Sequence, residues 1–375
     1  MKLTCDIAIV GAGIVGTACA YYLAQEGLKV IVIERGPVGG GSTGSCMGHI
    51  VVLHDSVPHL ALTSFGRQLW QQISLGLPEG VEYNQCGTIW LATTQQQIQQ
   101  LRSQQTYYNQ YGIATQLLDQ DALCDAEPCL RKGVAGGLYV PDDAVIYPPA
   151  AACYLLAMAQ SNGAMLLQGC QVMAIGPDGS IRLQGNQIIY AGIIINAAGC
   201  WASQLDRQLP IIKRKGHLAV TDRSGAVLRH QVVEVSYLQS VRQDAGASVA
   251  FNVQPRKTGQ ILIGSSRQIG AEGTEVEMPV LAHMLQRAVE WMPILANLKV
   301  IRAWAGHRPS TPDHLPMIGP CPGNERVWLA TGHEGLGLTT SLATAHLIAN
   351  MIAGRPCQID PGPYLPGRLL QGTYA

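Results

Sequence analysis

The segment CDIAIVGAGIVGTACAYYLAQEGLKVIVIER, residues 5–35, restricts the fold more than any other stretch of the chain. Ile7 to Val10 is a short apolar run suited to a buried strand, and Gly11, Gly13 and Gly16 follow at GxGxxG spacing. An Ala-rich helix is predicted over Thr17 to Gln25, closed by Gly27, and Val30 to Ile33 reads as a second buried strand. Strand, glycine turn, helix and strand make the βαβ unit that binds dinucleotides. The first glycine permits a tight turn, the second lets a pyrophosphate approach the backbone, and the third allows helix and sheet to pack closely. The helix N-terminus then faces the phosphates with its partial positive charge, and Ile14 and Val15, between the second and third glycines, are expected at the cofactor. Glu34, followed by Arg35, ends the second strand, where a carboxylate can accept from ribose hydroxyls. This unit alone serves FAD and NAD equally.

Composition narrows the remainder. The 375 residues are enough for two to three domains or one large α/β enzyme with an inserted lobe. A hydrophobic content of 47%, with 42 Gly and 21 Pro, describes a packed chain with many turns. Net charge is zero and no basic stripe occurs, which leaves nucleic acid little electrostatic purchase. The polar run TTQQQIQQLRSQQ (93–105) reads as a solvated helix. Eleven Cys show no CxxC pair and no metal-ligand spacing, so no metal is expected and reduced, buried thiols are. No run of about 18 apolar residues predicts a transmembrane segment. A cytoplasmic location is expected, with peripheral attachment at the inner membrane left open.

Three later segments choose the cofactor. VGGGSTGSCMGHIVV (38–52) brings Ser42, Thr43, Met47, Gly48, His49 and Ile50, offering hydroxyls and backbone N–H groups to a second stretch of ligand. LLQGCQVMAI (166–175) reads as a strand that can meet adenine near Val172. GIIINAAGCWASQL (192–205) reads as a buried strand, Ile193 to Ile195, ending in the small residues Ala198 and Gly199 before Trp201. Finally, VWLATGHEGLGLTTSLATAHLIANMIAGRP (327–356) reads as a strand, a glycine loop and a helix capped by Thr339 or Thr340. The start of that helix would stabilise negative charge at the N1–O2 edge of a reduced flavin, an arrangement with no role for NAD. FAD is therefore the expected cofactor.

Arg308, in HRPSTPDHLPMIGP (307–320), is unusual in a chain of which only 13% is charged. It follows the apolar run Ala303-Trp304-Ala305-Gly306, so the charge needs water or a partner of opposite sign. Two partners are open: a ligand carboxylate, or Asp313 in the turn that follows.

The order of these segments resembles the D-amino-acid oxidase-like FAD oxidoreductases, a group that includes glycine and sarcosine oxidases and dye-linked amino-acid dehydrogenases. CMGHIVVLHDS, RKGHLAVTDR, FNVQPRKTGQILIGSSRQ and RPSTPDHLPMIGP look most like its D-hydroxyproline dehydrogenase branch. The resemblance implies an α/β (α+β two-lobed) fold of glutathione-reductase/D-amino-acid-oxidase type: a Rossmann-like FAD-binding lobe, residues 1–81, 142–206 and 303–375, and a second lobe on a mixed β-sheet, residues 82–141 and 207–302. It implies hydride transfer from a small amino or imino acid to flavin N5, with electrons passed on to a quinone, a dye, an electron-transfer protein or O2. By motif position the family's flavin loops fall on Gly48, His49 and Ile50 and on Gly335, Leu336, Gly337 and Leu338, and its carboxylate-binding arginine falls on Arg308. Where glycine oxidase has a second arginine this chain has Glu334, and Asn252 stands in place of a tyrosine; both are expected at the substrate. Gly306 occupies the position of the attaching cysteine in covalent relatives, so FAD is expected to be held non-covalently. His49, His333 and Glu334 join Arg308 as candidate catalytic groups, and His307 is a further candidate for proton transfer. Two other functional readings remain beside the enzyme: a subunit passing electrons to FMN or iron–sulfur partners, and a catalytically silent flavoprotein.

Overall fold

The strand Leu3–Val10 buries Ile7, Ala8, Ile9 and Val10, on both of its faces. An apolar run can do this only in the middle of a sheet covered on both sides. In the computed structural model it lies between two parallel neighbours, Ile188–Asn196 and Val30–Glu34. The structure describes residues 3–53, 56–223, 225, 227–236 and 247–370. His54 and Asp55 of the CMGHIVVLHDS motif, and part of the strand-like run expected over 231–265, lie outside the described residues.

The first sheet has eight strands, six of them in the order Met317–Cys321, Asn324–Thr331, Ile188–Asn196, Leu3–Val10, Val30–Glu34, Met165–Gln168, with Ser180–Leu183 and Val172–Ile175 branching from Ile188–Asn196. The helices Ile14–Gln25, Pro148–Ser161 and Gly337–Ile352 pack together over one face through Leu23, Leu155, Leu342 and Ile348, all fully buried. The second sheet also has eight strands and is mixed. It runs Val300–Ser310, Ile212–Thr221, Ile261–Ile269, Ala247–Pro255, Gln231–Glu234, Thr88–Ala92, Gly136–Val140, Gln116–Leu118. Gln231–Glu234 pairs parallel with Thr88–Ala92, and its other neighbour is antiparallel. The helix Met278–Trp291 covers a face of this sheet, where Trp291 stacks on Phe251 at 5.5 Å between centroids.

Several expectations shift. The first helix begins at Ile14, three residues earlier than the sequence predicts, because extended Gly13 caps it directly. The C-terminal helix begins at Gly337 after Leu336, so Thr339 and Thr340 lie inside its first turn and neither caps it. Val300–Ser310 pairs with Ile212–Thr221 from Val300 to Ser310. A lobe boundary at 303 therefore falls inside a strand of the second sheet. The Gln-rich run is the helix Gln95–Gln110, its N-terminus capped by Thr94, whose hydroxyl accepts from Gln97 N–H at 3.2 Å. Among the described residues no helix is long and apolar enough to cross a membrane.

Candidate active site

Between the two sheets lies a cavity of about 540 Å³ that takes its walls from both. Gly11, Gly13, Ile14 and Val15 line it where the first strand becomes the first helix. At Gly11 φ is +107°, and a Cβ would lie 2.7 Å from Ala197 O, so only glycine fits. Gly16 is buried and does not line the cavity; it lets the helix pass against Gly11 and Ala197, the packing role of the third glycine. Glu34 Oε2 accepts from Ala12 N–H and Oε1 from Gly36 N–H, each at 2.7 Å. The carboxylate thus shapes the glycine turn, and it lines the cavity with acceptor capacity to spare on each oxygen. Arg35 stacks over Trp201 at 4.3 Å, and both line the wall with Val172, Ala198 and Gly199.

The loop after the second strand supplies the middle of the cavity. Thr43 Oγ1 accepts from Ile14 N–H at 3.0 Å, and Ser42 Oγ donates to His307 C=O at 2.6 Å, which fastens the loop to the first helix and to the second sheet. Met47, Gly48 and His49 continue the wall. Ile50 is fully buried in the hydrophobic core and stands outside it. Thr339 Oγ1 donates to His49 C=O at 3.0 Å and accepts from Val51 N–H at 3.1 Å. Expected as a direct contact, Thr339 is behind the wall, strapping this loop to the C-terminal helix. Leu336 also lies outside the cavity, packed against a separate apolar cluster, whereas Gly335, Gly337 and Leu338 line it. No side chain caps the helix that begins there, so its partial positive end is left for an anion.

Arg308, Asn252, His49, His333 and Glu334 all line the cavity, as do Gly306 and His307. Asp313 is committed elsewhere: Arg368 holds it through Nε at 2.6 Å and Nη2 at 3.2 Å. The carboxylate of the turn after Arg308 is thus paired with Arg368. Arg308 instead extends between Gly335 and Gly216, and Nη1 donates to Ser266 C=O at 3.2 Å. Burial, and then the Arg308 charge, push His49 down to about 3, so its ring is neutral. Its Nε2 and the Oδ1 of Asn252 are buried polar atoms without a hydrogen-bond partner among the described residues. Such atoms are costly unless a ligand meets them.

His333 and Glu334 are placed differently. Burial pushes His333 down to about 3, and its Nε2 is 2.9 Å from Thr344 Oγ1, a hydrogen bond within the core. Glu334 Oε1 accepts from Arg214 Nη1 at 3.2 Å, and Oε2 is 2.9 Å from His314 Nδ1. Arg267 stands 3.8 Å away. Burial raises this carboxyl, but the His314 hydrogen bond and the Arg267 and Arg214 charges outweigh it and hold it at about 2. Both oxygens are thus engaged by protein groups, and its role as a free acceptor for substrate gives way to that of a counter-ion. His307 Nε2 is tied to Ala271 C=O at 2.8 Å. Sequence reasoning missed Arg214, Gly216 and Ser266; the one available signal was the glycine in the middle of the strand-like RKGHL run, which marks close approach.

These residues fit FAD. The glycine turn and helix start suit a pyrophosphate, Glu34 suits a ribose, and the uncapped C-terminal helix with neutral His49 suits a ring near Arg308. A family model for FAD dependent oxidoreductases matches residues 6–351. Glycine oxidase of Geobacillus kaustophilus is 26% identical over 374 residues, covering 96% of each chain. The hydrogen cyanide synthase subunit HcnC of Pseudomonas aeruginosa is 25% identical, covering 98% of this chain and 97% of its own. A crystal structure of glycine oxidase from Geobacillus kaustophilus superposes with a TM-score of 0.88 at 25% identity, over 97% of this chain and 98% of the other. With a cavity between two sheets and a match over nearly its whole length, the chain belongs to the family of FAD dependent oxidoreductases.

Proposed function

We propose that the chain, an FAD-dependent enzyme oxidising an amine or amino acid, acts on a small amino or imino acid whose carboxylate is held by Arg308. The observation that carries this reading is the Arg308 guanidinium on the cavity wall, with Gly216 beside it and Ser266 C=O anchoring it. A planar guanidinium binds a carboxylate through two parallel hydrogen bonds, which sets direction as well as position. FAD, when bound, supplies the hydride acceptor. Orientation by such a clamp can contribute several kcal/mol, on the order of 7 in favourable cases.

Nε2 of neutral His49 and Oδ1 of Asn252 are unpaired polar atoms in the same cavity, the second an acceptor. An acceptor, a neutral imidazole and one cation suit a substrate with a carboxylate, an amine and a further polar group such as a ring hydroxyl. A D-hydroxyproline, oxidised by a dehydrogenase, fits that description and agrees with the motif resemblance. Gly306 offers no side chain for covalent attachment, which favours FAD held by contacts alone. A second reading, a catalytic subunit passing electrons to FMN or iron–sulfur partners, draws support from the likeness to a synthase subunit. Turnover of cis-4-hydroxy-D-proline by the purified single chain with an artificial acceptor tests both. Activity without a partner supports the first reading; activity only after co-purification with other subunits supports the second.

A further inference from the structure

Arg308 lies in Val300–Ser310, yet the carbonyl it donates to, Ser266 C=O, lies in Ile261–Ile269, two strands away. To reach it the side chain crosses Gly216, on the strand between. A Cβ at Gly216 would lie 2.8 Å from Arg308 Cζ and Nη2. Gly216 is not among the positive-φ glycines, so backbone freedom does not explain its identity. Room for the guanidinium does.

A carbonyl inside a sheet is ordinarily used by the strand ladder. Here the register between Ile212–Thr221 and Ile261–Ile269 slips between Lys215 and Ala219. Within that slip His217 N–H donates to Ser266 Oγ at 2.8 Å, a side chain in place of a main-chain oxygen. The His217 ring reinforces the same contact, with Nδ1 2.9 Å from Ser266 Oγ. Its Nε2 accepts from Glu277 N–H at 3.0 Å, so the proton of the neutral ring sits on Nδ1 and is donated to Ser266. The hydroxyl has two lone pairs and takes both donors. His217 is fully buried, and burial followed by the Lys215 charge holds it below the usual histidine range, in keeping with a neutral ring.

We propose that Ser266, held by His217, and Gly216 are positioning residues for Arg308. The Ser266 hydroxyl takes over a main-chain donor of the sheet and so releases its own carbonyl to aim the guanidinium, while Gly216 keeps the path clear. This rests on the reading of Arg308 as a carboxylate clamp.

The experiment titrates FAD-loaded protein with pyrrole-2-carboxylate, a planar ring carboxylate with no oxidisable α-C–H, and follows the perturbation of the flavin spectrum. Wild type is compared with Arg308→Ala, Ser266→Ala, Ser266→Thr and Gly216→Ala. Arg308→Ala is expected to weaken binding about 100-fold, and Ser266→Ala and Gly216→Ala about tenfold each, the scale of one lost charge-assisted hydrogen bond. Ser266→Thr, which keeps the hydroxyl, stays within about threefold of wild type. Normal binding by Ser266→Ala beside weak binding by Arg308→Ala overturns the positioning role and leaves the clamp standing. Normal binding by Arg308→Ala overturns both. A Ser266→Thr variant as weak as Ser266→Ala also overturns the role of the hydroxyl. Should Ser266→Ala not fold, Gly216→Ala decides from the cavity side, and its normal binding overturns the proposal.

Discussion

Glu334 and Arg214 join the two sheets at the cavity: the carboxylate follows the first-sheet strand Asn324–Thr331, the guanidinium lies on the second-sheet strand Ile212–Thr221, and they meet at 3.2 Å. The Glu334 N–H strengthens the same junction by donating to Pro309 C=O at 2.6 Å. One negative charge thus pins a loop beside Gly335, on the cavity wall, to the sheet that carries Arg308.

Removing that charge should be costly. Glu334→Gln leaves the buried Arg214 and Arg267 without this counter-charge, and breaking a buried pair from one side costs about 3–5 kcal/mol. Urea unfolding at neutral pH checks this. Because the folded carboxyl is held at about 2, below its ordinary 4.5, its contribution is complete above 4.5 and is lost as pH falls toward 2. The stability gap between wild type and variant should therefore narrow in acid. A gap that stays constant down to low pH would contradict the ion cluster.

His333 gives an acid sensitivity in a different window. Its folded pKa is about 3 against an ordinary 6.5, so the stability of the neutral buried ring is complete above 6.5 and is lost as pH falls below it. His333→Gln removes the titrating group. Its Tm should fall less than that of wild type when pH is lowered from about 7 to about 5, although it starts lower because the Thr344 contact is altered. Parallel curves in a thermal melt would show that the ring titrates alike in the folded and unfolded chain, contradicting a neutral buried His333.

At the nucleotide end, Gly11→Ala should empty the protein of flavin. The new Cβ, at φ +107° and 2.7 Å from Ala197 O, forces the turn apart where a pyrophosphate would lie. The ratio of flavin to protein absorbance after desalting should fall by about tenfold or more, equivalent to roughly 1.4 kcal/mol or more of lost binding. Full retention would mean that the turn does not hold the cofactor.

Thr339→Val keeps the shape of the side chain and deletes the bridge between His49 C=O and Val51 N–H. Leaving these groups unpaired costs about 1–3 kcal/mol. Loss of the strap should also loosen His49, read as a shifted flavin spectrum and weaker carboxylate binding in the loaded protein. An unchanged melt and spectrum would show that the strap does neither.

What could be read from the chain, and what could not, follows the range of each interaction. The βαβ unit was legible because its glycines, helix and acid lie within 31 residues, from Cys5 to Arg35, and each has a local reason. Arg308 was legible as a lone charge after an apolar run, although only the fold shows that Asp313 belongs to Arg368. Glu334 was placed at the cavity, but its partners come from positions 214, 267 and 314, and nothing local joins them. Thr339 looked like a helix cap; its hydroxyl is instead taken by a loop 290 residues away in sequence. Gly216 and Ser266 depend on a register slip between two strands, which no periodicity within either strand records.

Anaerobic absorbance spectra of the FAD-loaded wild-type protein would decide most directly whether Arg308 clamps an amino or imino acid for oxidation. Glycine, sarcosine, D-proline and cis-4-hydroxy-D-proline would each be paired with the amine that lacks the carboxylate, pyrrolidine standing against D-proline. Bleaching of the visible band by at least one acid, none by its matched amine, and none by that acid with Arg308→Ala is the outcome expected. Equal bleaching by acid and amine, or an Arg308→Ala protein reduced as readily as wild type, would contradict a site built around the carboxylate.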